Sequence, residues 1–423
     1  MRYIDLFAGA GGFSEGFKRA GFEPIAHIEV DPAACFTLKT RLAYHYLAES
    51  NKIDIYIKYL TGSIKRDQLY AHVPSHILQR VINLPISDKN NPIIFQRIDE
   101  LKGDNKIDII IGGPPCQTYS LVGRARDKNG MKDDQRNFLY IQYCRFLKKY
   151  FPKVFVFENV IGLLSAENGK YFKNIKHYFR RLGYVVDPVI VNANEFGVLQ
   201  NRRRVIIVGY RKDFHLPVQE LFKRSSHAYE VSSIFQDLPA INAGGGTDKY
   251  LTYKSDINGY LRFAKIRNGI GVLTQHISRP HTEHDKEIYK ITIDKWKQHR
   301  ERLGYNDLPE RLQSHKNRKS FLDRFKVVAD DLHWSQTVVA HIAKDGHYYI
   351  HPDIKQNRSL SIREAARLQS FPDDFYFEGI KEGHNRTSAF RQIGNAVPPL
   401  MAEKIADVIK NISVFKQNDI AND

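Results

Sequence analysis

The 423-residue chain predicts an α/β fold, an open and largely parallel sheet clothed by helices, followed by a second, smaller and irregular domain. Three observations carry this. Residues 107–120, IDIIIGGPPCQTYS, place four isoleucines around Asp108 and then two glycines, two prolines and Cys116, a fully buried strand that delivers a thiol at its end. Residues 3–12 read as a short apolar strand running into Ala8-Gly9-Ala10-Gly11-Gly12, the turn from a strand to a ligand-binding helix. After about residue 210 the alternation of strands and helices gives way to Gly244-Gly245-Gly246, scattered histidines and both tryptophans, Trp296 and Trp334.

Taken in order, the glycine loop leads into a helix over 13–19 closed by Gly21. Residues 24–30 form a second strand ending in Glu29, eighteen residues past Gly11, and Asp31-Pro32 then caps a helix running through Leu42. A carboxylate at that spacing suits ribose hydroxyls, with a solvated loop acid as the alternative, so the first half is expected to hold a nucleoside-bearing cofactor. Residues 46–106 are an elaborated connection containing helices. Beyond Cys116, residues 123–135 are a polar loop in which Arg124, Arg126 and Lys128 either meet phosphates or face solvent.

A helix over 137–149 and a strand over 154–157 follow, the latter bringing Glu158-Asn159-Val160 to the sheet edge that carries Cys116. A helix near 171–182 and strands at 184–191 and 205–209 continue the pattern. Arg202 and Arg204, two apart in an extended segment, share a face, either as a surface ladder or as donors to an anion or carbonyl beside the site. Residues 361–369 read as a helix, and Gln392–Pro399 leads into a last helix over 400–410 that returns to the first domain. The tail, 417–423, is expected to fray.

Lys and Arg number 64 against 47 acids, a net charge of +17, which favours a polyanion partner. Three cysteines are too few for a disulfide framework or a four-thiolate zinc site, and the histidines lack metal-ligand spacing, so no metal is expected. No run approaches the roughly 18 apolar residues of a membrane span. A soluble, intracellular protein is the expectation.

The order DLFAGAGGFSEGF (5–17), GGPPCQTYS (112–120), FENV (157–160), QNRRRVIIVG (200–209), REAARLQSFPDDF (363–375) and QIGNAVPPLMAEKIA (392–406) resembles the DNA (cytosine-5) methyltransferases of restriction-modification systems. The resemblance implies a Rossmann-like S-adenosylmethionine-dependent methyltransferase sheet over 1–212 plus 390–412, and a target recognition domain with its hinge over 213–389. It implies Cys116 as the nucleophile that adds to carbon 6 of a flipped-out cytosine, Glu158 on N3 and the exocyclic amine, Arg204 on the base carbonyl and Arg202 supporting the carboxylate. It implies S-adenosyl-L-methionine as cofactor, with Phe7 beside the adenine, the backbone at Gly9, Gly11 and Gly12 around the methionine part, Glu29 on the ribose, and Pro114, Leu139 and Asn395 lining the pocket. Ser63, in Gly62-Ser63-Ile64, stands where the family usually carries Gly-Asp-Ile for adenine. Gln117, Ser120, Arg124, Arg126 and Lys128 would face double-stranded DNA.

A restriction endonuclease for the same site is the further partner implied, with a monomer in the bacterial cytoplasm, associated with the nucleoid. Two alternatives share this outline: a transfer-RNA cytosine-5 methyltransferase, whose Cys-Phe-Thr matches only Cys35-Phe36-Thr37 in the wrong half of the chain, and a non-catalytic DNA-binding relative, which would lack Cys116, Glu158 or the arginines.

Overall fold

The structure, a computed structural model, describes residues 1–115, 138–213, 218, 222, 228–315, 322–383 and 385–410. Cys116, Gln117, Ser120, Arg124, Arg126 and Lys128, the loop 123–135 and the tail 417–423 lie outside the described residues.

Seven strands make one sheet: β1 (Arg2–Leu6), β2 (Glu23–Glu29), β3 (Val81–Asn83), β4 (Ile109–Gly112), β5 (Val154–Asn159), β6 (Tyr184–Asn192) and β7 (Arg203–Arg211). Their order is β3-β2-β1-β4-β5-β7-β6, parallel except that β7 runs against both its neighbours. The chain moves outward one way through β1, β2 and β3 and then starts again at β4 on the other side of β1. The crevice of such a sheet lies at that reversal, beyond the carboxyl ends of β1 and β4. Leu6 pairs with Gly112 there, and a Cβ on Gly112 would stand 2.3 Å from the Leu6 carbonyl oxygen, so only glycine lets the two strand ends close up.

Both faces are covered, which is why β4 is an unbroken apolar run rather than an alternating one. Ile109 and Ile111 enter one core with Phe13 and Phe17 of α1 (Gly12–Arg19) and with Met401 and Ile405 of the closing helix, Pro399–Lys410. Ile110 points the other way, into a core with Tyr143, Phe146 and Phe179. These come from the helices Leu139–Tyr150 and Lys170–Arg181. The closing helix lies directly on α1: a Cβ on Gly16 would stand 2.4 Å from the Ala402 Cβ.

From β2, the side chain of Asp31 accepts a hydrogen bond from Ala33 N and starts α2 (Pro32–Glu49), which runs a further two turns past the expected end. The connection to β4 holds α3 (Ile53–Leu60), α4 (Arg66–Ala71), α5 (Ser75–Leu78), the edge strand β3 and α6 (Asn91–Lys102).

The second half is less irregular than its composition suggests. A 17-residue helix, α7 (Glu283–His299), is capped reciprocally by Thr282 and Asp285 and packs Ile288, Tyr289 and Ile293 into a small core with Leu303, Tyr305 and Phe325. Residues 358–377 are braced by buried ion pairs and meet α2 through Arg41, whose Nη1 lies 2.9 Å from Asp374 Oδ1. Arg358 grips both carboxylate oxygens of Glu364 at 2.7 Å, and Arg367 lies between Asp237 and Asp373. The segment Gln392–Asn395, expected as a lead-in, is the end of a helix, α8 (Arg386–Asn395).

Candidate active site

The carboxyl edge of the sheet gathers most of the described residues that the motifs single out. Because β7 is antiparallel to β5, its beginning lies where β5 ends, with Glu158 opposite Ile206 in the ladder. Arg204 Nε donates to Glu158 Oε1 at 2.7 Å, both side chains mostly buried. A Cβ on Gly113 would come 2.7 Å from Glu158 Oε2, so the turn after β4 lies against the carboxylate. Asn159 Nδ2 donates to the Pro114 carbonyl at 3.3 Å and fixes that turn to β5. The chain thus reaches Pro115, the residue before Cys116, beside a carboxylate and a guanidinium.

Arg202 is not where strand parity put it. It precedes β7 and turns inward, 1% exposed, and Arg204 rather than Arg202 holds Glu158. Arg202 Nη1 donates to the Val338 carbonyl at 2.8 Å, Nη2 to the Ala396 carbonyl at 2.9 Å, and both to the Gly394 carbonyl at 3.3 Å. Gln200, also buried, accepts from Val338 N at 2.9 Å and donates to the Leu368 carbonyl at 3.0 Å. Together they tie the start of β7 to the Thr337-Val338 segment and to Asn395, which is exposed at the end of α8.

The glycine loop makes the other half of the crevice. Phe7 takes a positive φ of 58°, a strained conformation for a bulky residue and one that marks functional turns. Gly9, with φ 56°, has nothing within 4 Å of where a Cβ would be, whereas that space at Gly12 is filled by the Val397 carbonyl oxygen at 2.2 Å. Gly9 therefore leaves room for a ligand, while Gly12 admits the neighbouring segment after α8.

Glu29 spends both oxygens on the backbone: Oε2 accepts from Gly9 N at 2.7 Å and Oε1 from Val30 N and Asp31 N at 2.8 Å. Burial raises its pKa, opposed by those three hydrogen bonds. A carboxylate has about four acceptor sites, so one remains for a hydroxyl. Beside it Val30 is exposed, an apolar surface next to a polar anchor. Leu139, half-buried at the amino end of its helix, and Pro114 stand on the β4 side of the crevice.

Ser63 does not join this site. It is exposed in the turn between α3 and α4, and that turn docks on the second half, with Tyr59 and Arg66 reaching Glu378 at 2.5 and 3.5 Å and Gly62 facing Lys249. The position at the end of the third strand belongs to Asn83, whose Nδ2 donates to the carbonyls of Glu29 and Val30 at 3.0 Å. Two of the three thiols are inert by burial: Cys35, which donates to the Glu29 carbonyl at 3.4 Å, and Cys144 are both pushed up to about 12. Among the described residues no cluster of His, Cys, Asp and Glu is fit to hold a metal, and no helix is long and apolar enough to cross a membrane.

Fold and site define a doubly wound α/β protein with a ligand crevice at its switch point and a carboxylate–guanidinium pair beside it. A profile of the C-5 cytosine-specific DNA methylases matches residues 1–74 and 81–411, and the chain belongs to that family. It is 40% identical over 452 residues to the type II methyltransferase M.Bpa9945I of Bacillus paralicheniformis, covering 97% of this chain and 99% of that one. It is 30% identical over 443 residues to M.DdeI of Desulfomicrobium norvegicum, also a type II methyltransferase, covering 100% and 92%. Among solved structures, a prophage-encoded E. coli protein described as a DNA modification methyltransferase superposes with a TM-score of 0.65 at 24% identity, over 98% of this chain and 99% of that one, a likeness of fold.

Proposed function

We propose that this protein is a DNA (cytosine-5)-methyltransferase of a restriction-modification system, which methylates carbon 5 of a cytosine in one duplex sequence through a covalent adduct of Cys116 at carbon 6. The observation that carries the reading is the convergence of Glu158, Arg204 and the Pro114-Pro115 turn at one sheet edge, with Cys35 and Cys144 buried elsewhere. The family match and the type II relatives support the reaction and its setting.

Carbon 5 of cytosine is a poor nucleophile. Addition of the Cys116 sulfur to carbon 6 breaks the 5,6 π bond and sends its electrons toward N3, where Glu158, protonated, donates its proton. Arg204, already on the carboxylate, has further N–H groups for the base carbonyl. Carbon 5 is then enamine-like and nucleophilic. Phe7, the backbone of Gly9–Gly12, Glu29, Val30, Pro114, Leu139 and Asn395 would hold S-adenosylmethionine, whose sulfonium would supply an electrophilic methyl group to carbon 5. Loss of the carbon 5 proton to a solvent base restores the 5,6 double bond and expels the Cys116 thiolate, and N3 gives its proton back to Glu158. Arg202 acts by position, holding the segment that carries Asn395 against the strand that carries Arg204.

The base is inside a stack in duplex DNA, so it must be flipped out. The protein works as a monomer in the cytoplasm, alongside an endonuclease that cuts the same sequence. Duplex DNA bearing 5-fluorocytosine at the mapped target tests the covalent step, because fluorine cannot leave as the proton does. With S-adenosylmethionine the wild type should form a denaturant-resistant protein–DNA adduct that Cys116→Ser does not; an adduct retained by the variant would end this reading.

A further inference from the structure

The chain has two tryptophans, and both line a single cavity of about 290 Å³ that belongs to neither the cofactor crevice nor the Glu158–Arg204 pair. Trp334 is 45% exposed, an unusual state for the largest aromatic side chain, and Leu332 beside it is also exposed. Trp296 is held by a hydrogen bond from Nε1 to Asp331 Oδ1 at 3.1 Å. Arg302 adds positive charge to the wall, Lys326 there is paired with Asp323, and the one acid among its described residues, Glu301, is paired with Lys295 at 3.8 Å.

The cavity is attached to the catalytic strand. Ser335 N donates to the Leu199 carbonyl at 3.0 Å, Asn201 N to the Ser335 carbonyl at 2.9 Å, and Thr337 Oγ1 to the Asn201 carbonyl at 2.5 Å. These bonds zip residues 335–337 onto 199–201, with Trp334 at one end of the seam and Arg202 just beyond the other. Asn201, in the cavity wall, is three residues from Arg204, about 10 Å of extended chain. Along a DNA strand that span is about three nucleotide steps at 3.4 Å each.

An exposed indole in front of a cavity near the lower end of small-ligand volumes, with Arg302 in its wall, has the makings of a stacking platform for a flat ring attached to an anionic backbone. We propose that this cavity takes a second DNA base, two to four steps from the target cytosine, drawn out of the duplex and stacked on Trp334. The proposal rests on DNA being the substrate. It makes Trp334 a specificity-determining residue, because the cost of unstacking a base depends on the step that is opened.

Intrinsic fluorescence reads this cavity directly, since it holds both tryptophans. With duplexes carrying the mapped target, and a thymine at each flanking position in turn, DNA binding should quench the emission, and permanganate should oxidise a thymine at a second position two to four steps from the target. Trp334→Ala should lose the quenching and the second reactive position and bind the duplex about 5- to 150-fold more weakly, the range for loss of one base–aromatic stack. Trp334→Phe, which keeps a stacking face, should bind within about 10-fold of wild type. Reactivity confined to the target in a wild type that methylates normally, or binding by Trp334→Ala unchanged, overturns this proposal and leaves the methyltransferase reading standing. A wild type that methylates no duplex removes the substrate assignment and the proposal with it.

Discussion

Replacing Arg202 by alanine should destabilise the protein far more than replacing Arg204, although both lie in one motif. The Arg202 guanidinium is buried and its loss strips a donor from three backbone carbonyls, those of Val338, Gly394 and Ala396, of which Ala396 keeps Gln369 Nε2 at 3.5 Å. Each buried carbonyl left unpaired costs about 1–3 kcal/mol, so the two, Val338 and Gly394, sum to about 2–6 kcal/mol. Water entering the vacated volume caps the loss at about 4 kcal/mol. At about 2 °C per kcal/mol the thermal midpoint should fall by about 4–8 °C. Arg202→Lys keeps the charge but not the planar fork and should recover only part of the loss. Arg204→Ala unpairs Glu158, whose side chain keeps 14% exposure and can take up water in place of the guanidinium, so its midpoint should fall by only about 2 °C while turnover is lost. Scanning calorimetry with cofactor titration on the three variants decides the matter. An Arg202→Ala midpoint near wild type, or a larger fall for Arg204→Ala, would refute the division of labour.

Glu158→Gln should lower kcat by about 10²–10⁴-fold, as for loss of a general acid, with little change in cofactor affinity, read by single-turnover methyl transfer. Gly12→Ala places a methyl 2.2 Å from the Val397 carbonyl oxygen; the overpacking should cost about 1–3 kcal/mol and weaken cofactor binding, measured by calorimetry. Burial pushes the Asp5 carboxyl up to about 8, opposed by its hydrogen bond with Ser14, and burial pushes His27 down to about 3. With the folded carboxyl still protonated and the unfolded one not, stability should fall as pH rises toward 8, by about 1.4 kcal/mol per unit between pH 6.5 and 8. His27 is neutral in both states across that window, so its contribution is lost only as pH drops below about 6.5. Asp5→Asn should flatten the slope of thermal midpoint against pH; an unchanged slope would rule out Asp5 as its source.

What the sequence made legible follows from how local each signal is. The isoleucine run at β4, the glycine loop after β1 and the carboxylates ending β2 and β5 are each set by a few consecutive residues, and the structure places them as read. β3 is three residues long, too short to show a period, and without it Gly62-Ser63-Ile64 stood in for a strand end that lies at Asn83. Arg202 was misplaced because parity holds only within a strand, and β7 begins at Arg203. The helix Glu283–His299 is nearly half charged, which hid its apolar stripe, although Thr282 and Asp285 at capping-box spacing were a usable signal. The cavity between Trp296 and Trp334 joins residues far apart in the chain, which no local pattern encodes.

Cytosine methylation of DNA through Cys116 is read out by transfer of labelled methyl from S-adenosylmethionine to duplex DNA of mixed sequence, with a matched RNA pool and Cys116→Ser protein run in parallel. Label should appear in DNA alone, recovered as 5-methylcytosine in one sequence context and absent with the variant. Label in RNA instead, or undiminished transfer by Cys116→Ser, would contradict it.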